Sequence, residues 1–245
     1  MENHNLENGI LVFDVFGRRA MWRRFYTNSS SLSYPLPTRT ALSGLVSAIL
    51  GEDFFDKTRE NYSNYFNIEQ AVFGIQTFSK LRSSILVENK EIDNKIKNND
   101  ITQINTEYYL NKEDKDIHYR VYFNHKNKEL FDLFEKNLRE QTQYYPIFLG
   151  KKNCGADFKF VEKIEPNEIH KLESYKGELN VSLINRKNRV YIQNESFEPD
   201  IMPLALDTER NCQQTHKVAY TDENLVGEFE NIYKVKDKHI SFYQE

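Results

Sequence analysis

Several things that would settle a protein's class quickly are scarce in this chain. It has two cysteines, Cys154 and Cys212, 58 positions apart in 245 residues. That spacing matches no zinc motif and gives no disulfide framework, so both are read as reduced thiols in a cytoplasmic protein. No apolar run approaches the ~18 residues that span a bilayer, and the opening MENHNLENG is too polar for a secretory leader; no membrane contact is expected. Positive charge is not in excess. Against 37 Asp and Glu stand 33 Lys and Arg, a net charge of −4, which argues against coating nucleic acid by bulk charge and confines any such contact to a local patch. Catalytic signatures are missing too: there is no His-Glu-x-x-His, no nucleophile elbow and no pair of carboxylates at a meaningful spacing. Neither a metal nor a cofactor is expected.

The mean hydropathy of −0.73 alone would suggest disorder. An aromatic content of 13 % argues otherwise, because disordered chains are poor in aromatics. At this length the chain can bury a real core.

Residues 10–16 (ILVFDVF) are apolar on both alternating faces except at Asp14, the pattern of a central strand. A helix is predicted over 38–50, with Thr38 as N-cap and Gly51 as C-cap. Leu42, Leu45, Val46 and Ile49 form its apolar stripe, while Ser43, Gly44, Ser47 and Ala48 make an opposite face small enough to be covered as well. A short second helix is read within 52–70 and a long strand over 71–81. Residues 88–116 are too polar for core and read as an inserted hairpin or mobile loop. Residues 117–123 alternate as a strand, 127–140 form an amphipathic helix, and 156–160 alternate again. This β-α-β-β-α-β order is the ferredoxin-like split motif. The fold class is therefore α+β: a ferredoxin-like domain over 1–165, with 83–116 inserted, and a small β-rich lobe over 166–245. In that lobe, strands are expected at 179–184, 189–193, 216–220, 229–235 and 239–243, with only a turn at 166–172.

The sharpest chemical signal is the segment 17–51. Arg18, Arg19, Arg23 and Arg24 surround the single tryptophan, Trp22, and Phe25 and Tyr26 follow. Guanidinium groups bind phosphate bidentately and aromatic faces stack on bases. Arg39 sits in the first turn of the predicted helix, where a cation opposes the helix dipole unless a phosphate or a carboxylate partner offsets it. A second signal is Gly150-Lys151-Lys152-Asn153-Cys154-Gly155, a two-glycine turn with two lysines; it lacks the Gly-Lys-Ser/Thr ending of a nucleotide-phosphate loop, so nucleoside triphosphate binding is rejected. The candidates for acid–base chemistry are His118 and His125 with Tyr119, Tyr122 and Lys126, residues that could cleave RNA without metal.

Gly17-x-x-Ala20-x-Trp22-Arg23 followed by Tyr34-x-x-Pro37-x-Arg39-x-x-Leu42-x-Gly44-Leu45-x-x-Ala48-Ile49-Leu50-Gly51 resembles the Cas-five family of CRISPR type I (Cascade) effector complexes. Tyr145-Pro146-x-x-Leu149-Gly150-Lys151 resembles that family's turn before the fourth strand, and Tyr233-x-Val235…Ile240-x-Phe242-Tyr243 is similar to the closing strands of its type I-B branch. The resemblance implies a ferredoxin-like, RNA-recognition-like domain, an inserted β-hairpin thumb and a β-rich lobe. It further implies a non-catalytic subunit that caps the 5′ handle of the CRISPR RNA and contacts the Cas-seven backbone and the Cas-eight large subunit. Target DNA would be met only indirectly. The RNA-binding residues are then Arg18, Arg19, Trp22, Arg23, Arg24, Tyr26, Arg39, Lys151 and Lys152, with no catalytic residue. The alternative is a metal-free endoribonuclease that processes repeat RNA, as in the type I-C branch.

Overall fold

A computed structural model of the chain describes residues 6–27, 30–51, 65–91, 101–194, 196–207, 209 and 211–243, with the backbone alone at 90, 91 and 101. The part of the expected second helix that falls on 52–64 lies outside the described residues.

Four antiparallel strands form the central sheet: β1 (Ile10–Gly17), β4 (Ala71–Thr77), β7 (Ile117–His125) and β8 (Ala156–Ile164), in the order β4-β7-β1-β8. Among the described residues, two α-helices, α1 (Arg39–Leu50) and α2 (Lys128–Glu140), join β1 to β4 and β7 to β8 in sequence. Alternation divides the sheet between two cores. Leu11, Phe13 and Val15 of β1, with Tyr119, Val121 and Phe123 of β7, share a core with the apolar stripes of both helices. Ile10, Val12, Val72 and Tyr122 point the other way, into a second core with Leu179, Phe229, Ile232 and Phe242. Leu130, Phe131, Phe134 and Leu138 of α2 are fully buried, and Phe134 meets Phe13 and Phe123 edge-on at 5.4 and 5.2 Å.

Helix α1 is covered over most of its small-residue face as well, with Gly44 left exposed. Ser43, Ser47 and Ala48 are buried along with the leucine stripe, and the two serine hydroxyls donate back to the carbonyls of Arg39 and Ser43. Thr38 caps the helix by accepting from the Ala41 amide at 3.2 Å. Gly51 ends it at φ +113, a positive but not left-handed helical conformation that glycine alone adopts easily.

The insertion is more regular than its composition suggests. β5 (Leu81–Glu91) and β6 (Ile101–Asn111) pair antiparallel from Leu81↔Asn111 to Glu91↔Ile101, as a two-stranded ribbon apart from the sheet. The strand expected to run over 71–81 therefore breaks at Phe78–Lys80 and restarts as the first arm of the ribbon. At the break the Thr77 hydroxyl accepts from the Ser79 amide, and the Ser79 hydroxyl accepts from the His118 amide.

The C-terminal part holds two strands that the sequence pattern hides. β9 (Ile169–Leu179) stands where only a turn was expected; its half-buried Ile169, Leu172 and Tyr175 are three apart, so period-2 alternation is lost in a run of Lys, Glu and His. β12 (Glu198–Leu206) contains Pro199 and Pro203. It is tolerated as the edge of the sheet β10 (Leu183–Asn185), β13 (Cys212–Tyr220), β12, where a missing N–H breaks no inner ladder. A third sheet joins β11 (Arg189–Ile192), β14 (Leu225–Val235) and β15 (Lys238–Ile240), with β9 along the other side of β14. The last strand stops at Ile240 rather than running to Tyr243. Cys154 and Cys212 are free thiols. Among the described residues, no helix is long and apolar enough to cross a membrane.

Candidate nucleic-acid interface

The segment after β1 is clasped between the ribbon and the Gly150 loop. Ala20 exchanges backbone hydrogen bonds with Tyr109 of β6, Met21 donates to the carbonyl of Leu149, and Ser31 pairs with Asn105 and Glu107 of β6. The short pair β2 (Trp22–Arg23) and β3 (Ser33–Tyr34) folds the segment back on itself. Four stretches, residues 18–27, 82–89, 102–108 and 150–154, thus share one surface.

The cations on that surface differ in how far their charge is already met. Arg23 is exposed and, among the described residues, donates only to the Thr27 carbonyl at 3.2 Å. Arg18 is exposed and donates to the carbonyl of Asp114. Arg19 donates from Nε and Nη2 to the Asn153 carbonyl, both at 3.2 Å, and its guanidinium lies 5.1 Å from the Tyr108 ring centroid. Lys152 is exposed and has no ion pair among the described residues. These four face carbonyls or water, and their charge remains available to an anion.

Arg24 and Lys151 are different. Arg24 bonds Asp200 of β12 at 2.6 Å and the Tyr26 hydroxyl at 2.6 Å, over the Tyr34 ring at 4.8 Å. Although burial disfavours its charge, these contacts raise its pKa further above the usual range. It fastens the segment to the C-terminal part. Lys151 pairs with Glu88 of β5 and donates to the Tyr108 hydroxyl at 3.1 Å. Glu88 also accepts from Thr106 at 2.8 Å and from Tyr108. Partial burial works against the carboxylate, but the bonds from Lys151, Tyr108 and Thr106 outweigh it and hold the Glu88 pKa at about 2. Lys151 is therefore neutralised by its own chain at any physiological pH.

Two expected residues are not on the surface. Trp22 is 3 % exposed, edge-on to Tyr119 at 6.3 Å, and offers no face to a base; a lone tryptophan in a core-forming loop gains more from burial than from display. Arg39 is fully buried, and backbone carbonyls of three separate segments gather on its guanidinium. Its Nη2 donates to the carbonyls of Asn67 (2.5 Å) and Ala71 (2.8 Å), and Nη1 reaches that of Leu204 (3.5 Å). Carbonyl dipoles thus meet the cation that opposes the helix dipole. The exposed aromatic faces belong to Phe25 (41 %) and Tyr26 (50 %).

The histidine constellation is not brought together. His118 and His125 sit on one strand seven residues apart, roughly 23 Å at ~3.3 Å per residue, and on opposite faces. His125 is buried, with Nδ1 accepting from the Asn127 amide and Nε2 at 2.6 Å from the Tyr65 carbonyl, and burial lowers its pKa. Tyr119 and Tyr122 are buried as well, bonded to the Pro35 carbonyl and to Gln76. Glu88, Tyr108 and Asp200 were missed as members of the site because their roles come from pairings across 18 to 176 residues. No local spacing announces such pairs.

The model of the family described as CRISPR-associated protein (Cas_Cas5) matches residues 10–209. No curated protein matches the chain significantly in sequence. Among solved structures, a CRISPR protein from Archaeoglobus fulgidus is 12 % identical, over 94 % of this chain and 98 % of its own, with a TM-score of 0.55. A chain from a CRISPR RNA-guided surveillance complex is 13 % identical, over 90 % of this chain and 91 % of its own, with a TM-score of 0.49.

Proposed function

The chain belongs to the CRISPR-associated Cas5 family, and from that premise we propose that it is a non-catalytic subunit of a type I CRISPR (Cascade) ribonucleoprotein of the I-B branch, acting in antiviral defence by capping the 5′ handle of the CRISPR RNA. The carrying observation is the surface built from the 18–27 segment, the ribbon and the Gly150 loop. There Arg18, Arg19, Arg23 and Lys152 keep charge unopposed by any carboxylate among the described residues, in a protein whose net charge is −4. Such a patch binds a short stretch of backbone without coating RNA at large. Exposed Tyr26 and Phe25 are the faces for unstacked handle bases. The strand order β4-β7-β1-β8 with its two crossover helices supports reading the sheet as ferredoxin-like, and the ribbon as the thumb.

Docking of the Cas-seven backbone and the Cas-eight large subunit is supported by β5. Among the described strands it pairs only with β6, and it exposes Ile85 (60 %), Leu86 (44 %) and Val87 (62 %) in succession. A long open edge with apolar side chains is what a neighbouring subunit covers. Target DNA then meets this subunit only through the assembly.

The test uses Arg23→Ala with Lys152→Ala. In the assembled complex, retention of CRISPR RNA bearing its 5′ handle should fall, and the slope of log K against log salt should flatten by about 1.4, at ~0.7 per single-strand phosphate contact. Unchanged retention and slope would reject this surface as the grip. The opposite change is expected of Glu88→Gln. It releases Lys151 from its carboxylate, so RNA affinity should rise severalfold and the slope should steepen by about 0.7. A fall in affinity would mean that Glu88 matters only for holding the ribbon in place.

A further inference from the structure

The face of the central sheet opposite the helices is only half covered. At one end Val12, Val72 and Tyr122 lie in the second core, and Gln76 bonds Asn224 at 2.7 Å. Beyond Gln76 the face opens. The next row across β7 and β1 pairs His118 with Phe16, and Phe78 joins it from the break after β4, its amide donating to the His118 carbonyl at 3.0 Å. Three rings on neighbouring strands result, with His118 4.6 Å from both Phe16 and Phe78. Phe78 is 49 % exposed although it is flanked by core strands.

Beneath these rings is a fixed cation. The Arg120 guanidinium lies 5.0 Å from the Phe78 centroid and is held bidentately by Asp14, Nε to Oδ1 at 2.7 Å and Nη2 to Oδ2 at 2.9 Å. His118 Nε2 is 3.0 Å from the same carboxylate, which is 6 % exposed. Arg120 Nη1 has no hydrogen bond among the described residues. Lys159 stands beside Asp14 on β8, and Arg18 and Arg82 both reach Asp114 off the same end of the sheet.

We propose that this open end of the sheet is a stacking platform for an unpaired nucleobase, with the free face of Phe78 as its seat, Arg120 Nη1 as a donor beside it, and Lys159 and Arg18 serving the flanking phosphates. The chemistry favours a base over a peptide. The rings lie side by side on adjacent strands of a sheet, as in sheet platforms that stack single-stranded bases. The buried Asp14 carboxylate fixes Arg120 in place and meets its charge, while Lys159 and Arg18 have no ion pair among the described residues and keep theirs for an anion. An apolar side chain would leave Arg120 Nη1 and Lys159 without use. The platform rests on the nucleic-acid reading above and borders that surface at Arg18, but it uses neither Arg23 nor Lys152.

The two can be told apart. Full-length protein is titrated with fluorescent oligo(rU) and oligo(dT) over a range of salt. Phe78→Ala should weaken binding of one or both by roughly 5- to 150-fold with the salt slope unchanged, whereas the grip variants flatten the slope. Phe78→Trp should bind like the parent, and Phe78→Leu, which keeps apolar bulk, should bind like the alanine variant. Because Phe78 is half exposed, these variants should keep the parent circular dichroism. In the parent, 5-iodouridine in the oligonucleotide should photo-crosslink to the peptide carrying Phe78. The platform is overturned if Phe78→Ala binds both oligonucleotides within twofold of the parent, if Phe78→Leu matches the parent, or if no crosslink maps to that peptide.

Discussion

Replacing Arg39 with methionine is expected to lower folding stability by about 3 kcal/mol or more, moving the urea unfolding midpoint down by roughly 1 M or more. Methionine fills much of the same volume, so the loss isolates the guanidinium. In the parent, two short bonds from Nη2 satisfy the carbonyls of Asn67 and Ala71, and a longer one reaches Leu204. Each buried acceptor left without its donor costs about 1–3 kcal/mol, and removing the desolvated charge returns part of that. Three pieces of chain would be loosened together: the start of α1, the approach to β4, and the prolyl edge strand β12. Lysine should rescue little, because a point charge cannot reproduce the fork that spans these carbonyls. If Arg39 instead served a phosphate, Arg39→Met would lose RNA affinity and keep its unfolding midpoint, and that result would sink the structural assignment.

Arg39 also marks where sequence reasoning stops. Its position in the first helical turn was legible, and so was the need for something to offset the dipole. The identity of the offset was not, because the carbonyls come from residues 28 to 165 positions away. The same division runs through the molecule. α1, β7 and α2 were legible because each buries a stripe whose period shows in the sequence, and β1 because a short run apolar on both faces marks a central strand. β9 and β12 were not, since an edge strand needs no alternation and can carry prolines. The insertion was read as a hairpin or a mobile loop, since its polar composition cannot decide between them; cross-strand pairing orders it without a core of its own. Among the site cations, the sequence marks Arg23 and Arg24 as equals. Only the tertiary fold sets Asp200 against one of them and leaves the other open to solvent.

The second large effect is expected at Gly150. Gly150→Ala should destabilise the protein by about 3–5 kcal/mol, while Gly155→Ala, at the other end of the same turn, should stay within about 0.5 kcal/mol of the parent. A Cβ on Gly150 would fall 2.0 Å from the Met21 carbonyl oxygen and 3.1 Å from Trp22 Cε3, and φ is +91. No side-chain rotation can relieve that contact, because the obstructing atom is backbone. The backbone itself is pinned: Met21 donates to Leu149 at 2.9 Å, and its neighbour Ala20 is paired to the ribbon. A Cβ on Gly155 meets nothing within 4 Å. The clash lies at the seam between the arginine segment and the lysine turn, so any relaxation that admits the methyl group parts Arg23 from Lys152. Folded Gly150→Ala protein, assayed well below its melting temperature, should therefore bind handle RNA more weakly than Gly155→Ala. Equal unfolding midpoints for the two variants would show that the seam can open at no cost, and the close packing of the two loops could then not be what assembles the grip.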